Sequence, residues 1–176
     1  MAQRSVVTVG ASMLVASLAL AACGSRSDDN GSSGAATSDK EAVIGVIAPL
    51  TGDLSPLGLG IQHSVELAVK EANEKKLIPG WTLKVEAVDD EAKPDVGKNA
   101  ASKLAGNDKV VGVVGNLNSS VSLQTQPVFA QANIVQVSPA NTAVDLSGYS
   151  PFYFRTAPPD TVQGNALGTL ISSDGY

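Results

Sequence analysis

The 176-residue chain predicts an α/β fold, a doubly wound, mostly parallel sheet with helices on both faces. Three observations predict it. From Ala42 onward, short β-branched runs alternate with stretches of helical period. The links between them are short, as strand–helix crossovers require. The run Val110–Val114 is almost wholly apolar, which fits a strand buried on both faces; Gly115, a polar turn and two serines opening a helix follow it.

Composition narrows the function classes. The net charge is −5 with no basic cluster, which argues against a nucleic-acid surface, since that needs a positive stripe. One cysteine and one histidine allow neither an internal disulfide nor a His/Cys metal cluster, so no metal or cofactor is expected.

The N-terminus reads as a targeting segment. Arg4 precedes an apolar run of 15 residues, Val6–Leu20, short for a membrane span, which needs about 20. Leu20-Ala21-Ala22-Cys23 then has the pattern of a bacterial lipobox: small residues admit the peptidase, and the thiol carries the lipid. Residues 1–22 are thus expected to be a lipoprotein signal peptide, and Cys23 the lipidated residue. More than one acyl chain would hold the protein stably on a membrane surface. Residues 23–41 are dominated by Ser, Gly, Asp and Asn and read as a flexible linker. Residues 42–176 form the folded part.

The elements follow in order. Ala42–Ala48 is a buried first strand, and Pro49–Pro56 a turn. The helix after it, to about Lys75, carries Ile61, Val65, Ala68, Val69 and Ala72 on one face. Thr82–Asp89 alternates as a second strand with one less buried side. Pro94–Ala105 is a helix stopped by Gly106. Val110–Val114 is the third strand and Ser119–Ala132 the third helix, with Pro127 as a kink. Ile134–Val137, a polar loop over Ser138–Ser150, the short strand Phe152–Arg155 and a helix from Asp160 to about Ser172 complete the chain.

In such a sheet, ligands bind beyond the carboxyl ends of the strands. The segment Asn116–Ser120 is one of those ends. Ser119 or Ser120 suits the N-cap of its helix, and unpaired N–H groups with the helix dipole would seat a small anion such as a carboxylate.

Five pieces in one order carry a resemblance: the lipobox, the linker, Ile44-Gly45-Val46-Ile47-Ala48-Pro49-Leu50-Thr51-Gly52, Ser138-Pro139-Ala140-Asn141-Thr142, and Tyr153 through Gly164. The chain resembles the leucine/isoleucine/valine-binding protein family, extracytoplasmic binding lipoproteins of ABC importers. The resemblance implies a type I periplasmic-binding-protein fold of two lobes that close on a solute. It also implies partners: a small amino-acid or amide solute, an ABC permease and its ATPase, and the membrane through lipid on Cys23. It implies that Ser119 holds the ligand carboxylate, that the Ala140 carbonyl accepts from the ligand ammonium, and that Thr142 reaches the zwitterion. Asn118 stands at the rim of the same corner. Leu57 occupies a place where amino-acid binders of the family carry an aromatic wall, which leaves amides and other small solutes open. The family runs to about twice this length, so the resemblance implies an incomplete N-terminal lobe, truncated before the second.

Other classes fit less well. Gly58-Leu59-Gly60 would need a third glycine where His63 stands, and no Walker motif or Ser/His/Asp set occurs. His63 reads as a surface or packing residue on the first helix. An enzyme is not expected; a sensory ligand-binding lobe and a non-binding gene fragment remain as alternatives.

Overall fold

The computed structural model describes residues 40–175. The expected signal peptide, the expected lipidation site Cys23 and the part of the expected linker before Lys40 lie outside the described residues.

The elements are β1 (Lys40–Ala48), α1 (Ser55–Glu74), β2 (Trp81–Asp89), α2 (Pro94–Ala105), β3 (Val110–Gly115), α3 (Ser119–Gln131), β4 (Val135–Ser138), β5 (Tyr153–Arg155) and α4 (Asp160–Ser173). One 3-10 turn, Val144–Leu146, interrupts the loop between β4 and β5. β1 starts two residues before the expected Ala42, because the Lys40 N–H donates to the Gly80 carbonyl and the Glu41 carboxylate is bridged by Lys84 and Lys109. β4 is shifted one residue on from Ile134–Val137, because the Ile134 N–H still returns to the Phe129 carbonyl at 2.9 Å as part of the helix exit.

The five strands lie in the order β2-β1-β3-β4-β5 and every pair is parallel. From β1 the chain winds one way to β2, then crosses to β3 and winds the other way. This reversal places the topological switch point between β1 and β3, whose carboxyl ends open into a crevice.

Alternate residues of β1 serve the two faces. Val43 and Ile47 pack into a core with Ala100, Ala101 and Leu104 of α2, Val110 and Val113 of β3, and Phe129 of α3. Ile44 faces the other way, toward α1. The helices therefore cover both faces, as the alternation of elements predicts. The expected apolar stripe of α1 does face the sheet, but it leaves a trough of about 660 Å³ lined by Ile61, Val65, Val69, Leu83 and Val114. Only Gly58 of α1 is buried; a Cβ there would stand 1.9 Å from the Pro49 carbonyl oxygen, so glycine lets the helix start directly against the β1 loop. α4 buries no residue along its length, and Leu167, Leu170 and Ile171 are exposed.

Candidate functional site

The site forms where the loops after β1, β2, β3 and β4 gather at the carboxyl edge of the sheet. Asp89, the last residue of β2, fixes the first loop. Its carboxylate accepts the Leu50 N–H and Glu91 N–H at 2.8 Å each, and the Thr51 hydroxyl. Burial works against its charge, but these donors outweigh burial and hold the Asp89 carboxyl below the usual carboxylate range.

Ser119 begins α3, yet it does not cap it: Asn118 occupies the N-cap position, and neither Asn118 nor Ser119 makes a side-chain capping bond. The expectation of a capping serine is corrected here. The Ser119 hydroxyl oxygen instead accepts the N–H groups of Thr142 and Ala143, both at 3.3 Å. The reason lies in the neighbouring loop, which passes close enough to offer two donors that have no other acceptor. The Asn118 and Ser119 corner and the Ala140–Thr142 corner are thus joined directly across adjacent strand ends.

Several polar groups here remain free to meet a ligand. The Asn118 Oδ1 atom is buried and has no donor. Among the described residues the Ala140 carbonyl and the Thr142 hydroxyl take part in no hydrogen bond. Leu57 is 57 % exposed in the first turn of α1 and shares the apolar trough with Pro139, the residue before Ala140. His63 is exposed on α1, away from these groups in that it lines neither the corner nor the trough.

Beneath the corners lies a buried polar cluster that sequence reasoning did not single out: Asp90, Asn116, Ser122, Thr125, Gln136, Ser138 and Asn141. Asn116 is its centre. Its Oδ1 accepts from Thr125 Oγ1 at 2.8 Å, Gln136 Nε2 at 3.0 Å and Ser122 Oγ at 3.2 Å, while its Nδ2 donates to Asp90 Oδ2 at 3.0 Å. Burial pushes the Asp90 carboxyl above its usual range, and the neighbouring Asp89 charge adds to the effect; the Asn116 amide and the Ala92 N–H oppose it. Tyr153 joins the cluster from β5, donating its hydroxyl to Asn141 Oδ1 at 2.9 Å. Burial raises this phenol, so it remains a neutral donor. A signal was present in the sequence: Ser122, Thr125 and Phe129 fall on one helical face, and Gln136 and Ser138 on one strand face, so polar residues sit where the pattern points inward.

A family model for periplasmic binding proteins matches residues 41–175. Over 141 residues, 80 % of the chain, it is 35 % identical to Leu/Ile/Val-binding protein homolog 2 of Brucella abortus, and it spans 38 % of that protein's length. It is 36 % identical over 107 residues to the Leu/Ile/Val-binding protein BraC3 of Rhizobium johnstonii, covering 61 % of this chain and 29 % of that one. Among solved structures, an ABC transporter substrate-binding protein of Desulfitobacterium hafniense in complex with Leu superposes with a TM-score of 0.67 at 31 % identity, over 78 % of this chain and 40 % of that one. A solute-binding protein of Rhodopseudomonas palustris in complex with 3,4-dihydroxybenzoic acid gives 0.69 at 26 % identity, over 77 % and 37 %. With its parallel sheet, its switch-point crevice and these matches, the chain belongs to the periplasmic binding protein family, and within it to the kind that includes the leucine/isoleucine/valine-binding proteins.

Proposed function

We propose that the chain is the solute-binding part of an extracytoplasmic lipoprotein serving an ABC importer, lipid-anchored through Cys23, and that its solute is a branched-chain amino acid or a related small carboxylate. The observation that carries this reading is the junction of Ser119 with the Thr142 and Ala143 N–H groups at the start of a helix. With its oxygen accepting those two N–H groups, the Ser119 hydroxyl keeps its proton to donate, and the first N–H groups and the dipole of the helix add to it for a carboxylate. The Ala140 carbonyl and Asn118 Oδ1 beside it are acceptors for an ammonium group. The ligands named for the two solved relatives, leucine and dihydroxybenzoic acid, differ in almost everything but a carboxyl group. That supports assigning the shared group to the Ser119 corner and the variable remainder to the wall that Leu57 begins. The importer's permease and ATPase are the partners that follow from this role.

Calorimetric titration with L-leucine tests the reading. Ser119→Ala removes one donor to the carboxylate and leaves two loop N–H groups without an acceptor, which should weaken binding at least about tenfold, or roughly 1.4 kcal/mol. Ser119→Thr keeps the hydroxyl and should recover most of the loss. Equal affinities for the wild type and Ser119→Ala would contradict the assignment.

A further inference from the structure

We propose that Tyr153 and Arg155 of β5 are positioning residues for the ligand corner: without touching solute, they hold the β4–β5 loop at the spacing that brings Thr142 and Ala143 onto Ser119. The proposal rests on reading these corners as the ligand site.

Tyr153 and Arg155 are two apart on a strand, so both side chains leave the same face. Each grips a different part of the loop. The Tyr153 hydroxyl donates to Asn141 Oδ1, and the Arg155 guanidinium donates to the Ala143 carbonyl at 2.7 Å and to the Ser147 hydroxyl. Thr142 lies between the two grips.

Asn141 passes the constraint to the other corner. It is fully buried, and both ends of its amide are used. Its Oδ1 accepts from Tyr153 and from Ser122 of α3. Its Nδ2 donates to the carbonyls of Leu117 at 2.9 Å and Asn116 at 3.2 Å, in the turn that leads into Ser119. One side chain thus ties the β3 turn, α3, the β4 loop and β5 together. The Ser138 hydroxyl reinforces the tie, donating to the Asn116 carbonyl at 2.9 Å and accepting the Asn141 N–H at 3.0 Å.

The pattern explains why a strand of three residues carries two long polar side chains on one face. β5 buries the Tyr153 ring, while Phe154 on its opposite face is 54 % exposed. Its chemistry is spent on the loop. A ligand carboxylate would meet a corner already set, which saves the ordering cost of a free loop.

The test uses the full chain, ¹⁵N-labelled, in two variants that spare Ser119 and the core. Tyr153→Phe keeps the ring and removes the hydroxyl; Arg155→Gln removes the guanidinium. Amide hydrogen exchange at Thr142 and Ala143 should speed at least tenfold in each, while Val46 and Val113 amides in the central strands stay as protected as in the wild type. L-leucine, titrated in parallel, should bind about five- to tenfold more weakly, with Arg155→Lys recovering part of the affinity. Unchanged exchange at Thr142 and Ala143, or exchange that rises in step with the central strands, would overturn the proposal. So would faster loop exchange with leucine affinity unaltered. If the wild type fails to bind leucine while the loop amides respond as stated, the positioning role stands and the leucine reading falls.

Discussion

Alanine at position 115 should leave the chain without a cooperative fold. Gly115 closes β3 with φ at +130°, a region that side chains rarely enter. A Cβ built there stands 2.0 Å from the Ile47 carbonyl oxygen. That atom belongs to the backbone of β1, and Ile47 is the register partner of Gly115, so it has no room to give without breaking the central strand pair. Strained dihedral and backbone collision add, and the expected loss is about 4 kcal/mol or more, a large part of a small domain's stability. Gly60→Ala is the matching control: nothing lies within 4 Å of a Cβ there, and alanine in the helix should stabilise by up to about 1 kcal/mol. Urea unfolding of the two variants checks both signs; a Gly115→Ala variant as stable as the wild type would contradict the close approach.

Asn116→Leu should cost about 3 kcal/mol at pH 7, because it leaves a buried carboxylate short of a donor and takes one acceptor from each of Ser122, Thr125 and Gln136. Asp90 is completely buried, and Asn116 is its side-chain donor. The sign of the pH effect follows from the raised carboxyl. In the folded state Asp90 binds its proton more readily than in the unfolded chain, so stability falls as pH rises from the unfolded value through the folded one. Loss of the Asn116 donor lifts the folded value further. The variant's deficit should therefore be full at neutral pH and shrink as the pH falls toward the ordinary carboxylate range. Denaturant unfolding at pH 7 and pH 4.5 measures it, and a deficit that is equal at both would remove Asp90 from the explanation.

Local signals decided which elements could be read from the sequence. Pro94 and Gly106 bracket α2 with a start and a stop of clear physical cause, and its bounds are as expected. The sequence predicts β1 two residues short because Lys40 and Glu41 are polar; their strand geometry comes from pairing with β2 and from lysines distant in sequence, which no local period reports. The two polar corners were legible as strand ends, and the structure brings Ser119 to Thr142. The role of the Ser119 hydroxyl was not: a serine opening a helix has the same local sequence whether it caps its own turn or holds another loop. The polar cluster escaped for a related reason. Ser122, Thr125 and Gln136 fall at inward positions of their elements, but only the meeting of α3 with β4 makes them partners of one another.

The central claim is that the Ser119 corner receives a carboxylate. Amide chemical shifts of the ¹⁵N-labelled chain, followed while L-leucine and then L-leucinamide are added at millimolar concentration, address it most directly. Leucine should move the Ser119, Thr142 and Ala143 signals, and leucinamide, which lacks the carboxylate, should leave them in place. Equal shifts from both compounds, or leucine shifts confined to residues away from these three, would contradict it.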